Sequence, residues 1–163
     1  MNVTIHPNQL KGEVLVPPSK SLSHRAIIAA SLAEGESVIS NVMLSKDIIA
    51  TIEGMRALGA NITIEGSTLR IEGHSVSRTE SFIDANESGS TLRFLIPIAL
   101  VNPLPMEFRG KNNLVNRPLD SYYEIFDKLG ITYTHPSNAY LPLNTVGGLQ
   151  PGKYEVKGNI SSL

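Results

Sequence analysis

The strongest constraint on this chain is that one pattern occurs twice along it. In the first copy, after Pro17-Pro18, an apolar helix is predicted from Leu22 to Ala33, with Gly35 as its stop signal. A short strand, Ser37 to Ser40, and a second helix from about Asp47 to Leu58 follow, closed by Gly59. Two strands, Asn61 to Glu65 and Thr68 to Glu72, then flank a hairpin turn at Gly66-Ser67. The second copy repeats the order: strand Ser81 to Asp84, helix Ser90 to Leu100, strand Pro105 to Arg109, and a helix starting at Pro118 and ending at Leu129-Gly130. Thr132 to Asn144 can supply its paired strands, although Pro136 and Pro142 interrupt them. A third copy is expected to begin at Lys153-Tyr154-Glu155-Val156.

Two kinds of helix alternate in this pattern. Ile48, Ile49, Ile52, Met55 and Leu58 form one apolar stripe, and Leu119, Tyr122, Tyr123, Phe126 and Leu129 form another; these helices should bury a single face. Leu22 to Ala33 and Ser90 to Leu100 are apolar nearly all round and should be buried on all sides. Pro97 should bend the second of these. The predicted class is therefore α/β (α+β), with helices inside and sheets outside. Starts of neighbouring buried helices carry free N–H groups and positive dipole ends, so their convergence would make one anion site.

Composition narrows the chemistry. The 163 residues are 41% hydrophobic and 18% charged, a globular balance with room for a core. The net charge of −1 gives no global attraction for nucleic acid or an anionic membrane. Without cysteine there is no disulfide, thiolate metal site or cysteine nucleophile in this stretch. His6, His74 and His135 lack metal spacing, and no carboxylate pair is placed for acid–base work. The N-terminus lacks a signal-peptide pattern, and the longest apolar run, Phe94 to Val101, is too short to span a bilayer.

Four polar segments sit where helices begin. In Pro17-Pro18-Ser19-Lys20-Ser21-Leu22-Ser23-His24-Arg25, Lys20 is at the helix start, and Ser21 and Arg25 share a face. Together they suit a phosphate or carboxylate; the plain alternative is a serine cap with two solvated cations. Because Arg25 lies in an apolar stretch, it is expected to be buried and to need a partner. In Asn86-Glu87-Ser88-Gly89-Ser90-Thr91-Leu92-Arg93, Gly89 permits close backbone approach, or the segment is an ordinary cap. Arg93 is read as a structural pair for Glu87 or Asp84. Arg117 precedes Pro118 and is either a ligand or an exposed turn residue. Ser161 and Ser162 stand where a third buried helix should begin, or fray. His24 tempts as a base but is more often a packing residue.

Taken together, these segments resemble the 5-enolpyruvylshikimate-3-phosphate synthase family. Pro18 to Ala26, Glu87 to Arg93, Asn116-Arg117-Pro118-Leu119 and Gly158 to Ser162 match in order and spacing. The resemblance implies βαβαββ repeats with buried parallel helices, three to a domain, and ligands in the cleft between two such domains. It implies transfer of the enolpyruvyl group of phosphoenolpyruvate to the 5-hydroxyl of shikimate 3-phosphate, in the cytoplasm, by a monomer, with no cofactor or metal. By position, Lys20 contacts both substrates, Ser21 and Arg25 hold shikimate 3-phosphate, Gly89 and Arg117 line the phosphoenolpyruvate subsite where glyphosate competes, and Ser161 and Ser162 bind the shikimate phosphate. Leu163 stands where the family usually has Gln, and Phe94 where many members have Pro, for which a packing effect is expected.

The resemblance further implies that residues 1–13 form a strand, about Val3 to Leu10, belonging to the other domain. Residues 14–163 would be the shikimate-phosphate side, with repeats at about 14–80 and 81–149 and a third starting over 150–163. The chain then corresponds to an N-terminal part of the enzyme. No catalytic group is expected within it; alone it is expected to be inactive and, with apolar surface uncovered, prone to self-association. Two alternatives compete: the related transferase acting on UDP-N-acetylglucosamine, whose Lys-Asn pair and cysteine are absent here, and a non-catalytic anion-binding domain.

Overall fold

The computed structural model describes residues 3–4, 6–7, 9 and 11–155. The first repeat folds as α1 (Lys20–Leu32), β1 (Gly35–Ile39), α2 (Lys46–Ala57), β2 (Asn61–Glu65) and β3 (Thr68–Gly73). The second folds as β4 (Phe82–Asp84), α3 (Gly89–Ala99), β5 (Met106–Arg109), a 3-10 turn (Asn112–Asn116), α4 (Asp120–Leu129), β6 (Thr132–Thr134) and β7 (Leu143–Val146). The sheets run β1-β3-β2 and β4-β5-β7-β6, so the last three strands of the second repeat the order of the first. Among the described residues only the β4–β5 pairing is parallel. Pro136 and Pro142 fall in the connection between β6 and β7, which displaces the final strand beyond the expected span. Helix α4 begins two residues after Pro118.

The burial of α2 departs from expectation. Its Ile48, Ile52 and Met55 enter the core as the stripe predicted, and Leu119, Tyr123 and Phe126 do the same around α4. Yet Ala50, Thr51, Gly54 and Ala57 of α2 are buried as well. The second repeat covers them: a Cβ on Gly54 would lie 2.3 Å from Leu95 Cδ1 and 3.3 Å from Ile83 Cγ2. Small residues there let α3 and β4 approach closely, which a search for large apolar side chains overlooks.

Helix α1 departs the other way. Expected to be buried on every side, it leaves Leu22 68% and Leu32 40% exposed, with Arg25 also on the surface. Cover comes from α2 beside it and β3 beneath it. At β3 the approach is so tight that a Cβ on Gly73 would stand 2.2 Å from the Ala30 carbonyl oxygen. Ser23 and Ser31 survive burial by donating to the carbonyls of Ser19 and Ile27, each four residues back.

Pro97 does not end α3, which continues to Ala99. A proline at this position lacks the N–H that would bond the carbonyl of Arg93. The Tyr122 hydroxyl of α4 donates to that carbonyl instead, at 2.9 Å. Burial raises the Tyr122 pKa, partly opposed by Arg93.

Among the described residues the first sheet shows no counterpart of β4. Matching the caps Ser19 and Ser88 places Pro17 opposite Asn86, whose φ is 53°. The proline ring fixes φ near about −65°, so the turn from β4 into α3 cannot be copied before α1. Val14, Leu15 and Val16 accordingly lie exposed outside the sheet. The strand expected at about Val3 to Leu10 includes positions outside the described residues, and the part of the expected third repeat from Val156 onward lies outside them too. No helix among the described residues is long and apolar enough to cross a membrane.

Candidate anion site at the helix starts

The site begins with caps. Ser19 Oγ accepts from the Leu22 N–H at 3.3 Å, and Ser45 Oγ from the Ile48 N–H at 3.3 Å. These fix Lys20 as the first residue of α1 and put Asp47 in the first turn of α2. Lys20 Nζ donates to Asp47 Oδ2 at 2.6 Å, tying the two starts together. The next tie is buried: His24 Nδ1 lies 2.7 Å from Thr51 Oγ1, and Thr51 Oγ1 lies 2.7 Å from Thr91 Oγ1. Thr91 Oγ1 is also 2.7 Å from Ser88 Oγ and 3.2 Å from the Asp47 carbonyl oxygen. Ser88 caps α3 by accepting from the Thr91 N–H. The starts of α1 and α3 therefore meet, as expected of the buried helices, and they do so across the start of α2, which was not part of that expectation.

His24 is a member of this chain of hydrogen bonds rather than a base. It is 1% exposed and its Nε2 has no partner. Burial lowers its pKa; Asp47 opposes that shift, while Lys20 and Arg25 reinforce it. It is held neutral.

Arg25 is exposed, not buried as expected, because the outer face of α1 is uncovered among the described residues. It still has partners: Nη1 donates to the Ser21 carbonyl at 3.0 Å, and its Cζ lies 4.9 Å from the centroid of the Phe94 ring. Ser21 is exposed beside it. At α3, a Cβ on Gly89 would stand 2.5 Å from Arg117 Nη1, so the guanidinium lies over a backbone that only glycine leaves open. Arg117 is held ahead of α4 by its N–H to the Leu114 carbonyl.

Arg93 turns the other way and reaches the Pro118 carbonyl at 3.4 Å, a structural contact. Asp84 receives Lys111 at 3.5 Å, and Glu87 accepts from Asn112 at 2.9 Å. Ser161 and Ser162 lie outside the described residues. Thus Lys20, Ser21 and Arg25 are placed at one start, and Gly89 with Arg117 at a neighbouring one. The sequence reading missed Asp47 and Thr51; the available signal was an acid in the first turn and a hydroxyl on the apolar stripe of an amphipathic helix. Among the described residues no three His, Asp or Glu side chains gather as a metal site.

The family model for EPSP synthase (3-phosphoshikimate 1-carboxyvinyltransferase) matches residues 5–163. The chain is 54% identical over 162 residues to the 3-phosphoshikimate 1-carboxyvinyltransferase of Clostridium perfringens strain 13, covering 98% of this chain and 38% of that protein. It is 46% identical over 172 residues to the protein of that name from Clostridioides difficile strain 630, covering 99% and 39%. In structure it resembles EPSP synthase from Acinetobacter baumannii, with a TM-score of 0.79 and 23% identity over 93% of this chain and 36% of that one, which speaks to the fold. The chain spans somewhat over a third of the length of these relatives, and across nearly all of its own length it belongs to the EPSP synthase family.

Proposed function

We propose that this chain is the substrate-holding side of an enzyme that transfers the enolpyruvyl group of phosphoenolpyruvate to the 5-hydroxyl of shikimate 3-phosphate, releasing phosphate. The observation that carries the reading is the convergence of three capped helix starts bearing Lys20, Ser21 and Arg25 on one side and Gly89 and Arg117 on the other. Both substrates are multiply charged anions. Oriented N–H groups and fixed cations bind such ligands without reorganising at the moment of reaction.

In this reading Lys20 contacts both substrates, and Ser21 and Arg25 hold shikimate 3-phosphate. Arg117 lies over Gly89 to grip phosphoenolpyruvate, and Ser161 and Ser162 take the shikimate phosphate. Asp47 keeps the Lys20 ammonium at the cleft until a ligand competes for it. Acid and base must come from elsewhere, since His24 is buried and neutral and Asp47, Asp84 and Glu87 are engaged with partners. The chain by itself then binds without turnover.

Titration calorimetry with shikimate 3-phosphate, and with UDP-N-acetylglucosamine as competitor class, tests this. Saturable binding of the former, lost in Lys20→Met and Arg25→Met, is expected. Preference for the nucleotide sugar, or binding indifferent to both substitutions, would overturn it. Product formation by the purified chain alone would refute the division between holding and catalysis.

A further inference from the structure

Arg25 is the one cation of the proposed site that rests on an aromatic ring. Its Cζ stands 4.9 Å from the Phe94 centroid, and its Nη1 donates to the Ser21 carbonyl at 3.0 Å. Phe94 is half-buried on α3, beside Arg93, which reaches toward α4 instead. The ring therefore carries an α3 side chain beneath a guanidinium from α1.

The two modes of contact available to a guanidinium do not compete. Its π face takes an aromatic ring, while its N–H donors point outward in the plane. A carboxylate partner would hold Arg25 as firmly but would occupy those donors, as Asp47 does for Lys20. Phe94 leaves them open: Nε and Nη2 of Arg25 have no protein partner among the described residues. An unrestrained arginine loses considerable rotamer freedom when a ligand orders it, and a ring that orders it beforehand removes part of that cost.

We infer that Phe94 is a positioning residue for anion recognition: it holds the Arg25 guanidinium over α3 with the in-plane N–H edge free for an oxyanion. This rests on the function proposed above for its ligand, but not for the ordering of Arg25. Phe94→Leu keeps apolar bulk and removes the ring's charge distribution; Phe94→Tyr keeps the ring. In the ligand-free chain, nuclear magnetic resonance should show an ordered Arg25 Nε–Hε group and ring-shifted Cδ protons in the parent and in Phe94→Tyr, both lost in Phe94→Leu. Affinity for shikimate 3-phosphate should then fall about 2- to 5-fold in Phe94→Leu, the range expected of a cation–π contact at an accessible site, and recover in Phe94→Tyr. Unchanged Arg25 order in Phe94→Leu overturns the inference, and so does lost order with unchanged affinity. If the parent chain binds no shikimate 3-phosphate, the functional reading fails while the order of Arg25 still decides whether Phe94 positions it.

Discussion

The repair of α3 at Pro97 makes a sharp quantitative prediction. Pro97 leaves the Arg93 carbonyl without its helical donor, and the Tyr122 hydroxyl supplies one at 2.9 Å. Tyr122→Phe removes only that oxygen and keeps the packed ring. A part-buried carbonyl deprived of its donor costs about 1–2 kcal/mol. In a domain of this size each kcal/mol lowers Tm by roughly 2–4 °C, so a drop of about 2–8 °C is expected. Pro97→Ala restores an N–H four residues after Arg93 and makes the tyrosine hydroxyl redundant. In that background Tyr122→Phe should cost about 0.5 kcal/mol or less. Urea unfolding of the two single variants and the double variant gives the coupling energy, expected to be about 1 kcal/mol in magnitude. Additivity within about 0.3 kcal/mol would refute the claim that one group substitutes for the other.

Three further outcomes follow from the site. His24 has a lowered pKa, so the unfolded chain takes up its proton first as pH falls; stability should be constant above about pH 6.5, decline below it, and flatten in His24→Asn over that window, as read by unfolding at pH 7.5 and 5.5. Thr91→Val breaks the buried chain between α2 and α3 and should cost about 2 kcal/mol, whereas its effect in a Thr51→Val background should shrink by about 1 kcal/mol because the two share a bond; equal costs in both backgrounds would argue against the network. Gly89→Ala should leave Tm within about 2 °C, since alanine suits a first helical turn, yet push Arg117 aside and weaken phosphoenolpyruvate binding about tenfold, the loss expected of one charge-assisted hydrogen bond; unaltered affinity by calorimetry would separate Arg117 from the ligand.

Periodicity and caps were readable because they are local. The large apolar side chains of α2 and α4 recur at helical spacing, and the serine segments around Ser19 and Ser88 mark helix starts whatever surrounds them. The motif at Pro18 to Ala26 and the segments Glu87 to Arg93 and Asn116 to Leu119 likewise mark Lys20, Ser21, Arg25, Gly89 and Arg117 as candidates for binding an anion. What could not be read was coverage. Helix α1 is as apolar as a buried helix but has an uncovered face, and α2 is covered twice because Ala50, Thr51, Gly54 and Ala57 are small enough for another repeat to settle on them.

The sequence by itself determined the repeat, the helix starts and the charges placed at them, since each depends on neighbours within a few residues. Only the tertiary structure decided which partners those groups meet. It paired Lys20 with Asp47, buried His24 on Thr51, laid Arg25 over Phe94 and Arg117 over Gly89, and lent the Tyr122 hydroxyl to a carbonyl freed by Pro97. Those contacts join residues tens of positions apart, and their energies exist only once close packing has fixed the distances between helices.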